Sequence, residues 1–380
     1  MSYLEKLLEG VEVEWKSLGE VIKLEKGKQL NKDLLSQNGL YPAYNGGISF
    51  SGFTDIFNYN ENTIIISQGG ASAGFVNFVT LKFYANAHCY VVLPNIKKVE
   101  NRFIYHFLKL NQERLMTKQH GAGIPALRTS EILDIPILIP CPNNQKKSLE
   151  IQQKIVGILD TFTELTAELT AELTARKMQY SYYREQLLSF EEGDVEWKTL
   201  ESLAENLDSM RKPVTSGLRE AGNIPYYGAS GIVDYVKDYI FEGDFLLVSE
   251  DGANLIARNT PIAFSISGKT WVNNHAHVLK FNTYAERRFV EYFLNSIDLT
   301  PYISGAAQPK LNQRNLNNIK IPNPSLEEKI KIVSILDKFD TLTTSISEGL
   351  PKEIELRKKQ YEYYRDLLLT FPLSESGFVG

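Results

Sequence analysis

Apolar residues recur every three or four positions along two long segments of the chain, a spacing that predicts helices. The first stripe runs through residues 148–190, with Pro142 upstream and Gly193 downstream. The second runs through much of residues 326–380. A helix of about 43 residues would be roughly 65 Å long, which exceeds one domain. We therefore expect the two helices to pack as an antiparallel, coiled-coil-like pair.

The two helical segments carry nearly the same sequence. Residues 176–188 read RKMQYSYYREQLL, and residues 357–369 read RKKQYEYYRDLLL. The first helix also contains a tandem TAEL repeat at residues 166–173, and each module adds about 6 Å of helix. Gly349 and Pro351 predict an interruption or a kink in the second segment.

The segments outside the helices alternate short apolar runs with turn residues, which predicts mixed α/β domains. Short motifs repeat between them: VEWKSL at 13–18 and VEWKTL at 195–200, and GAGIP at 121–125 and GAAQP at 305–309. We expect two homologous α/β (α+β) domains with unlike surfaces, related by pseudo-twofold symmetry. The expected boundaries are 1–147 and 193–325 for the domains, and 148–192 and 326–380 for the helical spacers.

Specific elements are expected inside each domain. In the first, we predict strands at 62–67, 89–93 and 135–140 and a helix at 100–115. In the second, we predict strands at 245–249, 276–281 and 319–322 and a helix at 287–297.

Composition narrows the class of protein. The apolar fraction of 43% and charged fraction of 23% are those of an ordinary globular protein. No apolar run approaches the roughly 20 residues of a membrane span, so no membrane partner is expected. The chain has 2 cysteines and no secretory signal, which favours the cytoplasm. A net charge of −5 is unusual for a stand-alone nucleic-acid binder, so any DNA contact should depend on partner chains for backbone charge.

The order of domain, helix, domain, helix, with its repeated VEWK and RKxQYxYYR motifs, resembles the specificity (S) subunit of type I restriction–modification systems. The TAEL repeat resembles the IC subfamily. The resemblance implies two target-recognition domains, each reading one half of an interrupted DNA site. It also implies that the helices dock two modification subunits, which in turn carry restriction subunits. S-adenosylmethionine, ATP and Mg²⁺ would then bind the partners, and this chain would bind no cofactor and catalyse no reaction.

Polar, glycine-rich loops are the candidates for contact with double-stranded DNA, because backbone and short side chains can approach a groove there. The candidate residues of the first domain are Tyr44, Asn45, Gly46, Gln68, Ser72, Lys118, Gly121 and Arg128. Those of the second are Tyr227, Ser230, Glu250, Asp251, Asn254, Lys269, Gln308, Lys310 and Asn312. Gln68 against Glu250 is the sharpest difference, since Gln pairs with adenine and Glu accepts from cytosine. The alternative is that these loops are ordinary surface turns.

The helical residues are expected to form the seam between helices or a subunit interface. They are Leu165, Leu169, Leu173, Tyr180, Tyr183, Leu342, Ile346, Tyr361 and Tyr364. Base stacking by the tyrosines is the less favoured alternative.

Other chemistry is poorly supported by the sequence. Residues 263–270 fit only a relaxed phosphate-loop pattern, and a β-turn carrying Lys269 is favoured there. His275 and His277 have no Cys, Asp or Glu at ligand spacing, so no metal site is expected. His88 aligns with His275, which favours a shared structural hydrogen bond over a DNA contact. A protein-only coiled-coil adaptor and a degenerate S subunit remain the alternative functions.

Overall fold

A computed structural model describes residues 10–118, 126–191, 193–305 and 308–370. The chain forms two compact units. Unit 1 comprises residues 1–170 and 353–380, and unit 2 comprises residues 171–352. Each predicted domain thus forms a unit with parts of both helical segments, rather than standing apart from them.

Unit 1 is a mixed α/β body. Its strands are β1 (Val13–Ser17), β2 (Ile22–Lys26), β3 (Tyr41–Tyr44), β4 (Gly52–Thr54), β5 (Thr63–Ser67), β6 (Val76–Val79), β7 (Tyr84–Ala85), β8 (Cys89–Pro94) and β9 (Pro136–Pro140). Its short helices are α1 (Asn101–Leu110), α2 (Gln112–Thr117) and α3 (Thr129–Leu133), with 3-10 turns at Leu18–Glu20 and Lys32–Leu34. Helix α4 (Gln145–Leu188) begins in this unit.

The sheets of unit 1 enclose a core shared with the helical segments. Strands β2-β8-β5-β6 form an antiparallel sheet, β4-β3-β7 form a second sheet, and β1 pairs with β9. Helix α1 begins at a Glu100 side chain that accepts from the Phe103 N–H, and its buried face includes Phe107. That face packs into one cluster with Ile155 of α4 and Leu368.

Unit 2 repeats this plan with a larger sheet. Its strands are β10 (Trp197–Thr199), β11 (Glu205–Asn206), β12 (Ala221–Gly228), β13 (Gly231–Val236), β14 (Phe241–Ser249), β15 (Ala263–Val272), β16 (Ala276–Lys280) and β17 (Lys320–Pro322). Its helices are α5 (Leu200–Leu203), α6 (Asn254–Ala257), α7 (Tyr284–Ser296), α8 (Gln313–Asn317) and α9 (Leu326–Thr344), with 3-10 turns at Asp208–Met210, Ser216–Leu218 and Thr300–Tyr302. Helix α10 (Gly349–Thr370) follows and lies mostly in unit 1.

The core of unit 2 is built like that of unit 1. The sheet order is β11-β16-β14-β15-β12-β13, and β10 pairs with β17 as β1 pairs with β9. Helix α7 begins at a capping box between Thr283 and Glu286. Its buried Phe289 packs in one cluster with Leu336 of α9.

Three sequence predictions need correction. The helix expected at 100–115 is two helices, α1 and α2, which meet at Asn111. Lys269 does not lie in a β-turn, because residues 263–270 pair continuously with β14 as part of β15. Ile346 lies in neither α9 nor α10 and is 85% exposed.

The predicted interruption at Gly349 is confirmed. Gly349 has a φ of +78°, and a Cβ there would lie 2.4 Å from the Thr341 carbonyl oxygen. Only glycine meets both conditions without strain, so this residue permits the break between α9 and α10.

Candidate nucleic-acid interface

Loops of unit 1 meet at the end of β5. The Gln68 N–H donates to the His88 carbonyl at 2.8 Å, and the Gln68 carbonyl accepts from the Leu127 N–H at 2.8 Å. The loop after β3 joins them, because the Asn86 N–H donates to the Tyr44 carbonyl at 2.9 Å. The structure therefore brings together the predicted reading loops around Tyr44 and Gln68.

The same backbone bonds recur in unit 2 at the end of β14. The Glu250 N–H donates to the His275 carbonyl at 2.9 Å, and the Glu250 carbonyl accepts from the Leu311 N–H at 2.8 Å. The Asn273 N–H donates to the Tyr227 carbonyl at 3.0 Å. Gln68 and Glu250 thus occupy equivalent positions, and so do His88 and His275.

Two further bonds extend the equivalence. The Ser67 hydroxyl donates to the Gly47 carbonyl, as the Ser249 hydroxyl does to the Ala229 carbonyl. Gly46 is required beside this contact, because its φ is +82° and a Cβ would lie 2.8 Å from the His88 carbonyl oxygen. One backbone framework therefore carries different side chains in the two units.

A partner of the loop carbonyl differs in chemistry between the units. In unit 1 the Tyr90 hydroxyl donates to the Leu127 carbonyl at 3.0 Å, and Gln68 also bonds this hydroxyl. In unit 2 the Nε2 of His277 lies 2.7 Å from the Leu311 carbonyl oxygen. The position beneath the loop is neutral in unit 1 and part of a charged cluster in unit 2.

The charged cluster consists of Asp208, Arg211, Glu250, His277 and Lys310. Arg211 lies 2.6 Å and Lys310 3.1 Å from the Glu250 carboxylate. The Nδ1 of His277 lies 2.6 Å from Asp208 and 3.9 Å from Glu250. Burial opposes ionisation of Glu250, but the Arg211 hydrogen bond and the charge of His277 outweigh it and lower its pKa. Burial likewise opposes ionisation of Asp208, yet the hydrogen bond and charge of His277 lower its pKa.

Asp208, Glu250 and His277 have ligand atoms within 4.8 Å of one another, a spacing that could hold a metal ion. Sequence spacing gave no carboxylate near His277, whereas the fold supplies two. Because Arg211 and Lys310 already neutralise these carboxylates, a cation would have to displace them.

The remaining predicted reading residues of unit 1 lie as follows. Asn45 and Arg128 are exposed, Ser72 is half-buried, and Lys118 pairs with Glu131 at 3.1 Å. Burial raises the pKa of half-buried Tyr44. Gly121 lies outside the described residues.

In unit 2, some predicted residues are already engaged. Asp251 bonds the exposed His275 at 2.9 Å, Asn254 bonds Thr260, and Asn312 caps α8. Ser230 and Gln308 are exposed, and Tyr227 is half-buried.

Lys269 is separated from the cluster. It pairs with Glu242, seven residues from Ser249 along β14, which is roughly 23 Å in a strand. The structure therefore does not bring Lys269 to the loops that surround Glu250.

The helical segments dock on each unit through equivalent contacts. In unit 1, Arg102 of α1 bonds Asp160 at 3.0 Å, and Phe162 stacks on Tyr364 with ring centroids 5.3 Å apart. In unit 2, Arg288 of α7 bonds Asp337 at 3.0 Å, and Phe339 stacks on Tyr183 at 5.6 Å.

The other predicted spacer residues are half-buried: Leu165, Leu169, Leu173, Tyr180, Leu342 and Tyr361. Burial, the largest contribution, raises the pKa of Tyr180 to about 12. Packing is thus a local role for these side chains, as the helical spacing predicted.

An exposed side-chain arrangement also occurs twice. Arg176 bonds Glu172 at 2.7 Å and Gln179 at 2.8 Å, and Tyr182 beside them is 59% exposed. The second helical segment repeats it: Arg357 bonds Glu353 at 2.9 Å and Gln360 at 3.0 Å, and Tyr363 is 64% exposed. We call these two surfaces the tyrosine patches.

Within the ranges that the structure describes, no helix combines the length and hydropathy needed to cross a membrane.

Comparison with known proteins gives consistent results. Residues 10–176 and 192–356 match the type I restriction modification DNA specificity domain. The chain is 37% identical to the type I restriction enzyme EcoR124I/EcoR124II specificity subunit of Escherichia coli, across 99% of this chain and 98% of that protein. It is 34% identical to a putative type I restriction enzyme specificity subunit of Haemophilus influenzae, across 97% and 98% of the two chains. The crystal structure of a type I system S subunit from M. genitalium shares the fold, with a TM-score of 0.69 at 23% identity over 98% of this chain and 100% of that one.

Proposed function

Because the chain belongs to the type I restriction modification DNA specificity family, we propose that it is the DNA-reading subunit of a restriction–modification complex. Each unit would recognise one half of an interrupted site through the loops at the end of β5 or β14. Pseudo-twofold symmetry between the units would place the half-sites in opposite orientation, as dimeric repressors mirror their operators.

One observation supports two different half-sites above all others. The backbone bonds around Gln68 and Glu250 are alike, whereas the side chains that they present differ in charge. Base edges in the major groove are distinguished by such differences in donors and acceptors. Two equivalent frameworks with unlike side chains suit a protein that reads two sequences in one manner.

The tyrosine patches support a partner that binds twice. The patches have the same side chains and the same hydrogen bonds, although the domains beside them have diverged. Exposed tyrosine beside arginine is typical of protein interfaces. We propose that each patch docks one modification subunit, and that restriction subunits join through those subunits.

The chemical steps would then lie with the partners. S-adenosylmethionine would bind the modification subunits, and ATP with Mg²⁺ would bind the restriction subunits. This chain would contribute recognition and assembly but no catalytic group.

The TAEL modules bear on the distance between half-sites. We propose that the two helical segments pair as an antiparallel, coiled-coil-like spacer. Deletion of residues 170–173 would shorten α4 by about 6 Å, close to two base-pair steps, and leave both sets of loops intact.

The test is co-expression of the chain with the modification subunits encoded beside it, followed by mapping of N6-methyladenine in the host genome. Methylation at one interrupted motif that disappears without this chain is the expected result. The deletion of residues 170–173 should keep the half-site bases and shorten the gap. Methylation that persists without the chain, or a stable complex with no methylation, would favour an adaptor or a degenerate subunit instead.

A further inference from the structure

The charged cluster around Glu250 offers a way of reading a base, and this inference rests on the function proposed above. We propose that Glu250 is the specificity-determining residue of unit 2 and that its outer carboxylate oxygen accepts a hydrogen bond from a cytosine amino group. Lys310 acts as a gate that leaves Glu250 for a DNA phosphate.

The two carboxylate oxygens of Glu250 have different surroundings. Oε2 faces inward, with Arg211 at 2.6 Å and the Nδ1 of His277 at 3.9 Å. Oε1 contacts Lys310 at 3.1 Å, and that lysine side chain is 51% exposed while the Glu250 side chain is 11% exposed. One oxygen is therefore held within the protein, and the other is covered by a single mobile cation.

The inner contacts are themselves held firmly, which makes Arg211, Asp208 and His277 positioning residues. The Nε of Arg211 donates to the Asp208 carbonyl at 3.1 Å, and its NH1 group donates to the Ala276 carbonyl at 2.9 Å. The Asp208 carboxylate accepts from the Val278 N–H at 2.9 Å and lies 2.6 Å from His277, whose side chain is fully buried. Glu250 thus has its geometry set before DNA arrives, which reduces the ordering cost of binding.

Lys310 is suited to exchange partners. Its backbone bonds Ser304 in both directions at 2.8 Å, so the chain is fixed while the flexible side chain can turn away. A half-exposed ion pair is weak, and a phosphate would replace the carboxylate as its anion. The exchange keeps Lys310 paired and frees Oε1 to accept from a base.

Unit 1 has no need of such a gate at the equivalent position. Gln68 is neutral, and it bonds the Tyr90 hydroxyl rather than a cation. The amide can pair with an adenine edge without first losing an ion pair. The two units therefore differ in mechanism as well as in the base expected.

The experiment compares the full chain and its Glu250→Gln variant, each co-expressed with the modification subunits and mapped for N6-methyladenine. The expected result is a change at one position of the second half-site, away from cytosine, with the first half-site unaltered. The purified variant complex should bind the original site roughly ten- to hundred-fold more weakly. Gln68→Glu is the matched control and should alter the first half-site alone.

A second variant, Lys310→Met, tests the gate and keeps the proposal falsifiable if Glu250→Gln does not fold. It should retain the wild-type motif, while the slope of log affinity against log salt falls in magnitude by about one. An unchanged slope, or a changed motif, would overturn the gate. An unaltered motif with Glu250→Gln would overturn the assignment of Glu250. If the wild-type chain itself directs no specific methylation, the function proposed above fails instead.

Discussion

Asp160 is the residue through which α1 of unit 1 is fastened to α4, so its replacement by asparagine should loosen that unit. The carboxylate accepts from the Arg102 Nε at 3.0 and 3.1 Å and lies 2.8 Å from the Nε2 of His106. The side chains of Arg102 and Asp160 are 23% and 24% exposed, and that of His106 is fully buried. Asparagine keeps the shape but removes the charge that two cationic or polar partners require.

The magnitude follows from this partial burial. A hydrogen bond to a charged group contributes about 1.5–3 kcal/mol, and breaking a fully buried ion pair costs about 3–5 kcal/mol. Because a quarter of this pair is exposed, we expect Asp160→Asn to cost about 2–3 kcal/mol. This corresponds to roughly 30- to 150-fold faster amide exchange wherever unit 1 must open.

Hydrogen exchange of the complete chain, followed by mass spectrometry at neutral pH, resolves the two units. Peptides from α1 and from residues 151–162 should exchange faster in Asp160→Asn, while peptides from β14 and α7 should not change. Asp366→Asn is the control, since Asp366 is 54% exposed and pairs only with the neighbouring Arg365. Identical exchange in wild type and Asp160→Asn, or faster exchange confined to unit 2, would refute this reasoning.

The acid dependence has a definite sign. Burial opposes ionisation of Asp160, but the His106 and Arg102 hydrogen bonds outweigh it and lower its pKa in the folded chain. The contribution of Asp160 to stability is therefore complete above the unfolded pKa, about 3.9, and is lost as pH falls through the folded pKa. At neutral pH the comparison with asparagine measures it in full.

Three further predictions concern other parts of the chain. Gly349→Ala should lower the free energy of unfolding by about 1–3 kcal/mol because of its positive φ and close carbonyl, whereas Gly217→Ala, with nothing within 4 Å, should be near neutral in thermal denaturation. Cys89 is buried and burial raises its pKa to about 11, so a thiol reagent at pH 8 should label it only after denaturant is added; rapid native labelling would contradict its placement. Tyr182→Ala and Tyr363→Ala should each remove about one bound modification subunit in native mass spectrometry without changing the bases read, and full occupancy in both variants would exclude the tyrosine patches as docking sites.

Much of the fold could be predicted from local patterns. The apolar stripe of residues 148–190 corresponds to α4, which spans Gln145–Leu188, and the break at Gly349 follows from glycine chemistry. The strands expected at 62–67 and 89–93 are present as β5 and β8. These elements depend on residues close together in sequence, so the sequence pattern suffices to place them.

The failures arise where distant residues decide the structure. Lys269 follows a glycine and looked like part of a turn, but eight consecutive pairings with β14 extend the strand through it. The cluster around Glu250 was missed because Asp208 and His277 are 69 residues apart and meet only through sheet pairing. An acidic residue and a histidine at such a separation have no recognisable spacing, and only the alignment of Gln68 with Glu250 pointed to the position.

The shared backbone bonds around residues 68 and 250 have an evolutionary consequence. A mutation that exchanges the side chain there leaves every main-chain hydrogen bond of the loop junction in place, so the folding of the unit sets little limit on which residue is inherited. Selection can then act on recognition almost independently of stability. Descendants of one ancestral unit can diverge in what they read while the loops continue to meet in the same way.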